Sequence, residues 1–163
     1  MKKCTMLSLD ISSVSTGWAI FENGKYVKSG TLTASGTAEN HVPHMMTDID
    51  ILLSHSCPDI CVIEETILSR FNPKTFRTLT MILGAAMYIC KKLETEFITL
   101  TPSEWRKLIS AEKKPRKREE LKAWDLAKAA ELFGKEFETD DEADAVLIGQ
   151  AYLNKWEKKD VSK

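Results

Sequence analysis

Long apolar runs are missing from this sequence: nothing in it approaches the ~18 apolar residues that a membrane-spanning helix requires. Cysteine is scarce, with four in 163 residues (Cys4, Cys57, Cys61 and Cys90). That is too few for a disulfide scaffold at this length and points to a reduced, cytoplasmic chain. The start, Met1-Lys2-Lys3, passes directly into a strand-like segment and leaves no room for the apolar core of a signal peptide. Repeats, linkers and low-complexity tracts are also missing. Secreted, membrane-spanning and disordered classes are therefore excluded. Net charge is small, −1 from 23 basic and 24 acidic residues, so no global imbalance announces a polyanionic partner. What is present is a 43% hydrophobic content, enough to fill the core of one domain over residues 1–163.

Neutrality of the whole conceals two opposed blocks. Residues 106–118 carry Arg106, Lys107, Lys113, Lys114, Arg116, Lys117 and Arg118 against Glu112 alone, a local charge of +6. Residues 131–144 carry seven acids, Glu131, Glu136, Glu138, Asp140, Asp141, Glu142 and Asp144, against Lys135, a local charge of −6. A basic patch beside an acidic cluster suits a protein that holds a phosphate backbone and places metal ions on it. Taken alone, each block also reads as a solvated loop or an exposed helix start.

Alternation of Leu7, Leu9 and Ile11 marks a first strand over 3–11. A second strand covers 16–21, Asn23-Gly24 signals a type I′ hairpin, and a third strand covers 26–32. Helical spacing of Val42, Met45, Met46, Ile49, Leu52 and Leu53 predicts an amphipathic helix over 41–54. The wholly apolar run 60–63 reads as a buried parallel strand. A helix over 73–93 follows; its stretch 81–90 is apolar on every face, which requires full burial or a partner subunit. Then come a strand over 97–100, a short helix over 102–109, the basic loop, and helices over 116–133 and 140–156. This order predicts an α/β fold, a five-stranded mixed sheet flanked by helices, with the ribonuclease H-like fold as the main candidate.

Four acids fall where chemistry is expected. Asp10 closes the first strand and Glu64 follows the buried run, so on neighbouring strands ~4.8 Å apart both emerge at one edge. Asp141 and Asp144, at i and i+3, share one face of the last helix. Convergent carboxylates without His or Cys favour Mg²⁺ or Mn²⁺, and two such ions can activate a water and stabilise the leaving oxygen of a phosphodiester. There are structural alternatives: Thr139-x-x-Glu142 is a capping box, and Asp10 could cap a turn with Ser12 and Ser13. Glu64, after four apolar strand residues, needs a partner or a metal. Its neighbour Glu65 points to the opposite face.

These residues also carry a resemblance. Leu7-Ser-Leu-Asp10-Ile-Ser-Ser-Val-Ser-Thr-Gly17-Trp18 resembles the first-strand motif of the RuvC-type Holliday junction resolvases. Pro58-Asp-Ile-Cys-Val-Ile-Glu64 is similar to their second acidic motif, and Asp141-Glu-Ala-Asp144-Ala-Val-Leu-Ile-Gly149 to their C-terminal helix. The match runs from about Met6 to Leu153, and the short, lysine-rich chain looks more like the phage branch. The resemblance implies a homodimeric, Mg²⁺-dependent endonuclease of ribonuclease H-like fold that nicks opposing strands of four-way and other branched DNA. It implies that Asp10, Glu64, Asp141 and Asp144 bind metal, and that Arg106 stands where the family has a DNA-contacting lysine. A second such lysine maps within 113–117, and the helix stretch 81–90 corresponds to part of the dimer surface. Two positions depart from the bacterial pattern: the aromatic three residues after the second acid is Ile67, with Phe71 as a possible substitute, and Asp-Pro-Gly is Asp10-Ile11-Ser12.

Three other readings remain at this level. Sugar-kinase-like ATPases also have an Asp-ended first strand, but they use a glycine after it and a duplicated domain. A non-catalytic nucleic-acid-binding module, or an RNA-processing nuclease of the same fold, is another reading. A zinc site from His41, His44, His55, Cys57 and Cys61 is the third, although Cys61 lies inside the buried strand. The four tryptophans read as core, with Trp105 also suited to base stacking beside Arg106.

Overall fold

The computed structural model describes residues 4–37, 39–66 and 72–160. Within them the chain runs β1 (Thr5–Asp10), β2 (Ser15–Glu22), β3 (Lys25–Thr33), α1 (His41–Ser56), β4 (Ile60–Glu64), α2 (Pro73–Lys92), β5 (Glu96–Leu100), α3 (Pro102–Ile109), α4 (Arg118–Phe133) and α5 (Asp140–Asp160). The strands form one sheet in the order β3-β2-β1-β4-β5. Pairings β1–β2 and β2–β3 are antiparallel, while β1–β4 and β4–β5 are parallel. This is the five-stranded mixed α/β sheet that the element order predicts. The hairpin turn has φ 52° at Asn23 and 75° at Gly24, the left-handed pair that a type I′ turn demands.

Side-chain alternation sorts the core onto two faces. Leu7, Leu9, Cys61 and Ile63 point to one face, where they bury against Met45, Ile49 and Leu53 of α1 and Ile82, Ala86 and Ile89 of α2. Met6, Ala19, Phe21 and Val62 point to the other, against Trp105 of α3 and Val146, Leu147 and Ile148 of α5. By the same parity Asp10 and Glu64 fall on the α5 side. Cys61 and Cys90 are buried together and hydrogen-bonded, as small core residues.

Helix α5 lies unusually close to the sheet. The Ser8 hydroxyl donates to the Ala145 carbonyl at 2.7 Å. A Cβ added to Gly17 would stand 1.8 Å from the Asp141 carbonyl oxygen, and one on Gly149 would meet the Phe21 ring at 2.3 Å. Two glycines and a serine thus set the depth at which α5 meets β1 and β2.

One expectation is corrected, and one of two alternatives is excluded. Helix α4 starts at Arg118, not 116, and Lys117 is extended at φ −78°, ψ 138°. Arg116 and Lys117 would repel the positive helix terminus, and the helix begins where Glu119 and Glu120 enter its first turn. The stretch 81–90 is not buried all round: Ile82, Ala86, Ile89 and Cys90 face the core, while Met81, Met87 and Tyr88 are exposed, Tyr88 at 70%. Ile67 and Phe71 lie outside the described residues.

Candidate active site

Parallel pairing of Leu9 with Ile63 sets Asp10 beside Glu64 at the C-terminal edge of the sheet. The start of α5 crosses the same edge, held by the close approach at Gly17. Asp10, Glu64, Asp141 and Asp144 consequently line one cleft of about 620 Å³. Its other walls include Lys74, Thr75 and Thr78 of α2 and Arg118, Lys122 and Asp125 of α4. The turn after β1 is closed by Thr16, whose hydroxyl accepts from the Ser12 N–H at 3.0 Å and donates to the Ser12 carbonyl at 2.9 Å. Asp10 therefore is not needed to cap that turn.

Each acid has a distinct environment. Glu64 accepts a 2.6 Å hydrogen bond from the indole N–H of the fully buried Trp105. Asp141 accepts from the Ser15 hydroxyl at 2.5 Å. Asp144 Oδ2 lies 3.9 Å from Arg106 Nη2, and its Oδ1 is buried without a hydrogen-bond partner. Burial raises the pKa of Asp10 well above the usual carboxylate range, and repulsion from Glu64, Asp144 and Asp141 adds to it, against partial relief from Arg106. Burial also raises Glu64, with the Trp105 hydrogen bond and Arg106 opposing. Asp144 is pushed up to about 8 by burial and then by Asp125, with Arg106 opposing. Asp10, Glu64 and Asp144, buried and crowded together, resist ionising at the same time, which is the electrostatic condition of a cation site.

The donor set fits a hard cation: oxygen ligands, an excess of negative charge and one orphaned buried carboxylate oxygen. As the side chains stand, no group of three or more His, Cys, Asp or Glu among the described residues is set to hold an ion. Indole, serine and guanidinium groups engage Glu64, Asp141 and Asp144 respectively. The zinc candidates are dispersed. His41 and His44 contact carbonyls of the loop at Gly36 and Ser35, His55 contacts its own helix, and Cys57 is exposed. The capping box of α5 is half present: Thr139 accepts from the Glu142 N–H at 3.1 Å, but the Glu142 carboxylate goes to Ser29 and the Glu138 N–H.

In the basic segment, Arg118 lines the cleft, and Lys107, Lys113, Arg116, Lys117 and Arg118 are exposed. Lys114 is tied down, donating to the Ser110 carbonyl and standing 5.6 Å from the Trp124 ring. Arg106 is not a free surface cation: its Nε and Nη2 grip Asp125, the latter at 2.8 Å. Asp125, absent from the acids expected at the site, is fully buried. The signal for it is an acid in the inward stripe Leu121-Asp125-Ala129, a place where a carboxylate requires a partner.

No family model and no curated protein sequence matches the chain. Solved structures do. A Thermus thermophilus RuvC in complex with Holliday junction substrate superposes with TM-score 0.73 at 13% identity, covering 95% of this chain and 96% of that one. The chain has the fold of a RuvC-type resolvase. A Fowlpox virus resolvase, in complex with substrate Holliday junction DNA, gives TM-score 0.65 at 15% identity, covering 93% of this chain and 98% of that one. The yeast mitochondrial Holliday junction resolvase gives 0.66 at 11% identity, with 94% and 80% covered.

Proposed function

We propose that the chain is a divalent-metal-dependent endonuclease that cuts branched DNA, four-way junctions foremost, by paired nicks. The observation that carries this is the delivery of four carboxylates from β1, β4 and α5 to one cleft of a resolvase fold. Asp10, Glu64, Asp141 and Asp144 are the residues that would hold Mg²⁺, with Mn²⁺ a natural substitute and two ions matching the charge of the set. When bound, such ions supply an activated water and charge neutralisation at a phosphodiester.

The chain's own residues do the rest. Exposed Lys113, Arg116, Lys117 and Arg118, with Lys107, hold backbone phosphates and leave the bases unread, so binding is salt-sensitive and nearly blind to sequence. Two nicks in opposing strands need two such clefts. The exposed Met81, Met87 and Tyr88 on α2 are where a second copy would bury its like. Light scattering of the purified protein at micromolar concentration is expected to give twice the 18.4 kDa chain mass.

The test is incubation with end-labelled four-way, forked and linear DNA, and with RNA, with and without Mg²⁺. Metal-dependent cutting confined to branched DNA is the expected result. Binding without cutting would favour the non-catalytic module, and cutting of RNA alone would favour the RNA-processing nuclease.

A further inference from the structure

Asp125 and Trp105 belong to no expected ligand set, yet both are fully buried against the acid cleft. Arg106 lies between them. Its guanidinium stands 4.1 Å from the Trp105 ring centre and meets Asp125 with Nε at 3.1 and 3.2 Å and Nη2 at 2.8 Å. The outer edges of this stack touch the site. Arg106 Nη2 faces Asp144 at 3.9 Å, and the Trp105 indole N–H donates to Glu64 at 2.6 Å.

We propose that Asp125 and Trp105 are positioning residues: Asp125 locks Arg106 against the indole and toward Asp144, and the indole in turn fixes the Glu64 carboxylate. Two of the four acids are thus oriented by one rigid stack on α3 and α4. A fork-shaped, two-point grip fixes the guanidinium plane as well as its position, which a lysine at 106 would not do. A purely structural ion pair is a weaker account. Buried pairs contribute little net stability over apolar replacements, and here the outward contacts of the stack reach two acids of the cleft. The stack also explains why Arg106 is half-sequestered while most of the basic segment is in solvent.

The role in orienting the acids rests on the nuclease reading, and the test separates the two. The first readout is the indole ¹H–¹⁵N resonance of Trp105, assigned by its loss in Trp105→Phe. It is expected to move in Glu64→Gln and also in Asp125→Asn, which alters no atom in contact with the indole N–H. The second is the kinetics of junction nicking. Asp125→Asn is expected to lower kcat on the order of 10- to 100-fold with KM for the junction unchanged. Combined with Arg106→Gln, it is expected to be no worse than Arg106→Gln alone. An unmoved indole resonance in Asp125→Asn overturns the proposal, as does a double variant whose loss is the product of the single losses. If the wild-type chain cuts nothing, the nuclease reading fails and the resonance alone decides the stack. Should Asp125→Asn not fold, Arg106→Lys, which keeps the charge and removes the fork, is read in the same two ways.

Discussion

At the scale of single residues, Asp144 shows how strongly the cleft disfavours a charged carboxylate. Its pKa of about 8 arises first from burial and next from the neighbouring Asp125 charge. The folded chain therefore keeps a proton that the unfolded chain releases at about pH 4. This contribution to stability is complete below the unfolded value and is lost as pH rises toward 8. Asp10, Glu64 and Asp125 are raised too and act in the same direction. Metal-free protein in chelator is expected to melt at a lower temperature at pH 8 than at pH 5.5, and added Mg²⁺ to restore more at pH 8. A melting temperature that climbs from pH 5.5 to pH 8 in chelator would contradict this. Much of the residue-scale picture was legible from the sequence, because a carboxylate after an apolar strand announces itself. Asp125 did not, since its partner is 19 positions away on another helix. Nor did the sequence disclose that Arg106 would turn inward, because a basic run looks uniform until packing divides it.

At the scale of elements, the site depends on how closely α5 approaches the sheet. Gly17 permits it, because any side chain there would meet the Asp141 carbonyl. Gly17→Ala must push α5 or β2 aside; overpacking of this kind costs about 1–3 kcal/mol. It is expected to lower stability by that much in denaturant titration. Metal-dependent cutting should fall much further than stability, as Asp141 and Asp144 move with the helix. Activity that falls no more than stability would mean that the helix depth is unimportant. Strands and helices were mostly readable from periodicity, while helix ends were less so. The start of α4 lies where Glu119 and Glu120 fall into its first turn, and α2, apolar in composition all round, buries one stripe and exposes another. Periodicity shows that a face is apolar and does not show what covers it.

At the scale of the whole molecule, a net charge of −1 conceals a basic segment largely in solvent and an acidic segment of equal and opposite charge that in part lines a cleft. The surface offered to a phosphate backbone is therefore more basic than the total suggests. Changing Lys113, Arg116, Lys117 and Arg118 together to Ala is expected to weaken junction binding. The slope of log affinity against log salt is expected to fall by roughly 3 to 4, at about 0.9 for each phosphate no longer neutralised. An unchanged slope would remove this segment from the interface. Cutting itself is the most direct test of the function. The measurement is strand-resolved nicking of an end-labelled four-way junction in Mg²⁺ by the wild-type chain and by Asp10→Asn, with junction binding measured alongside. Paired nicks in opposing strands are expected from the wild type, none from Asp10→Asn, and binding from both. Nicking retained by Asp10→Asn, or a wild type that binds the junction and leaves it whole in Mg²⁺, would contradict the metal-dependent nuclease.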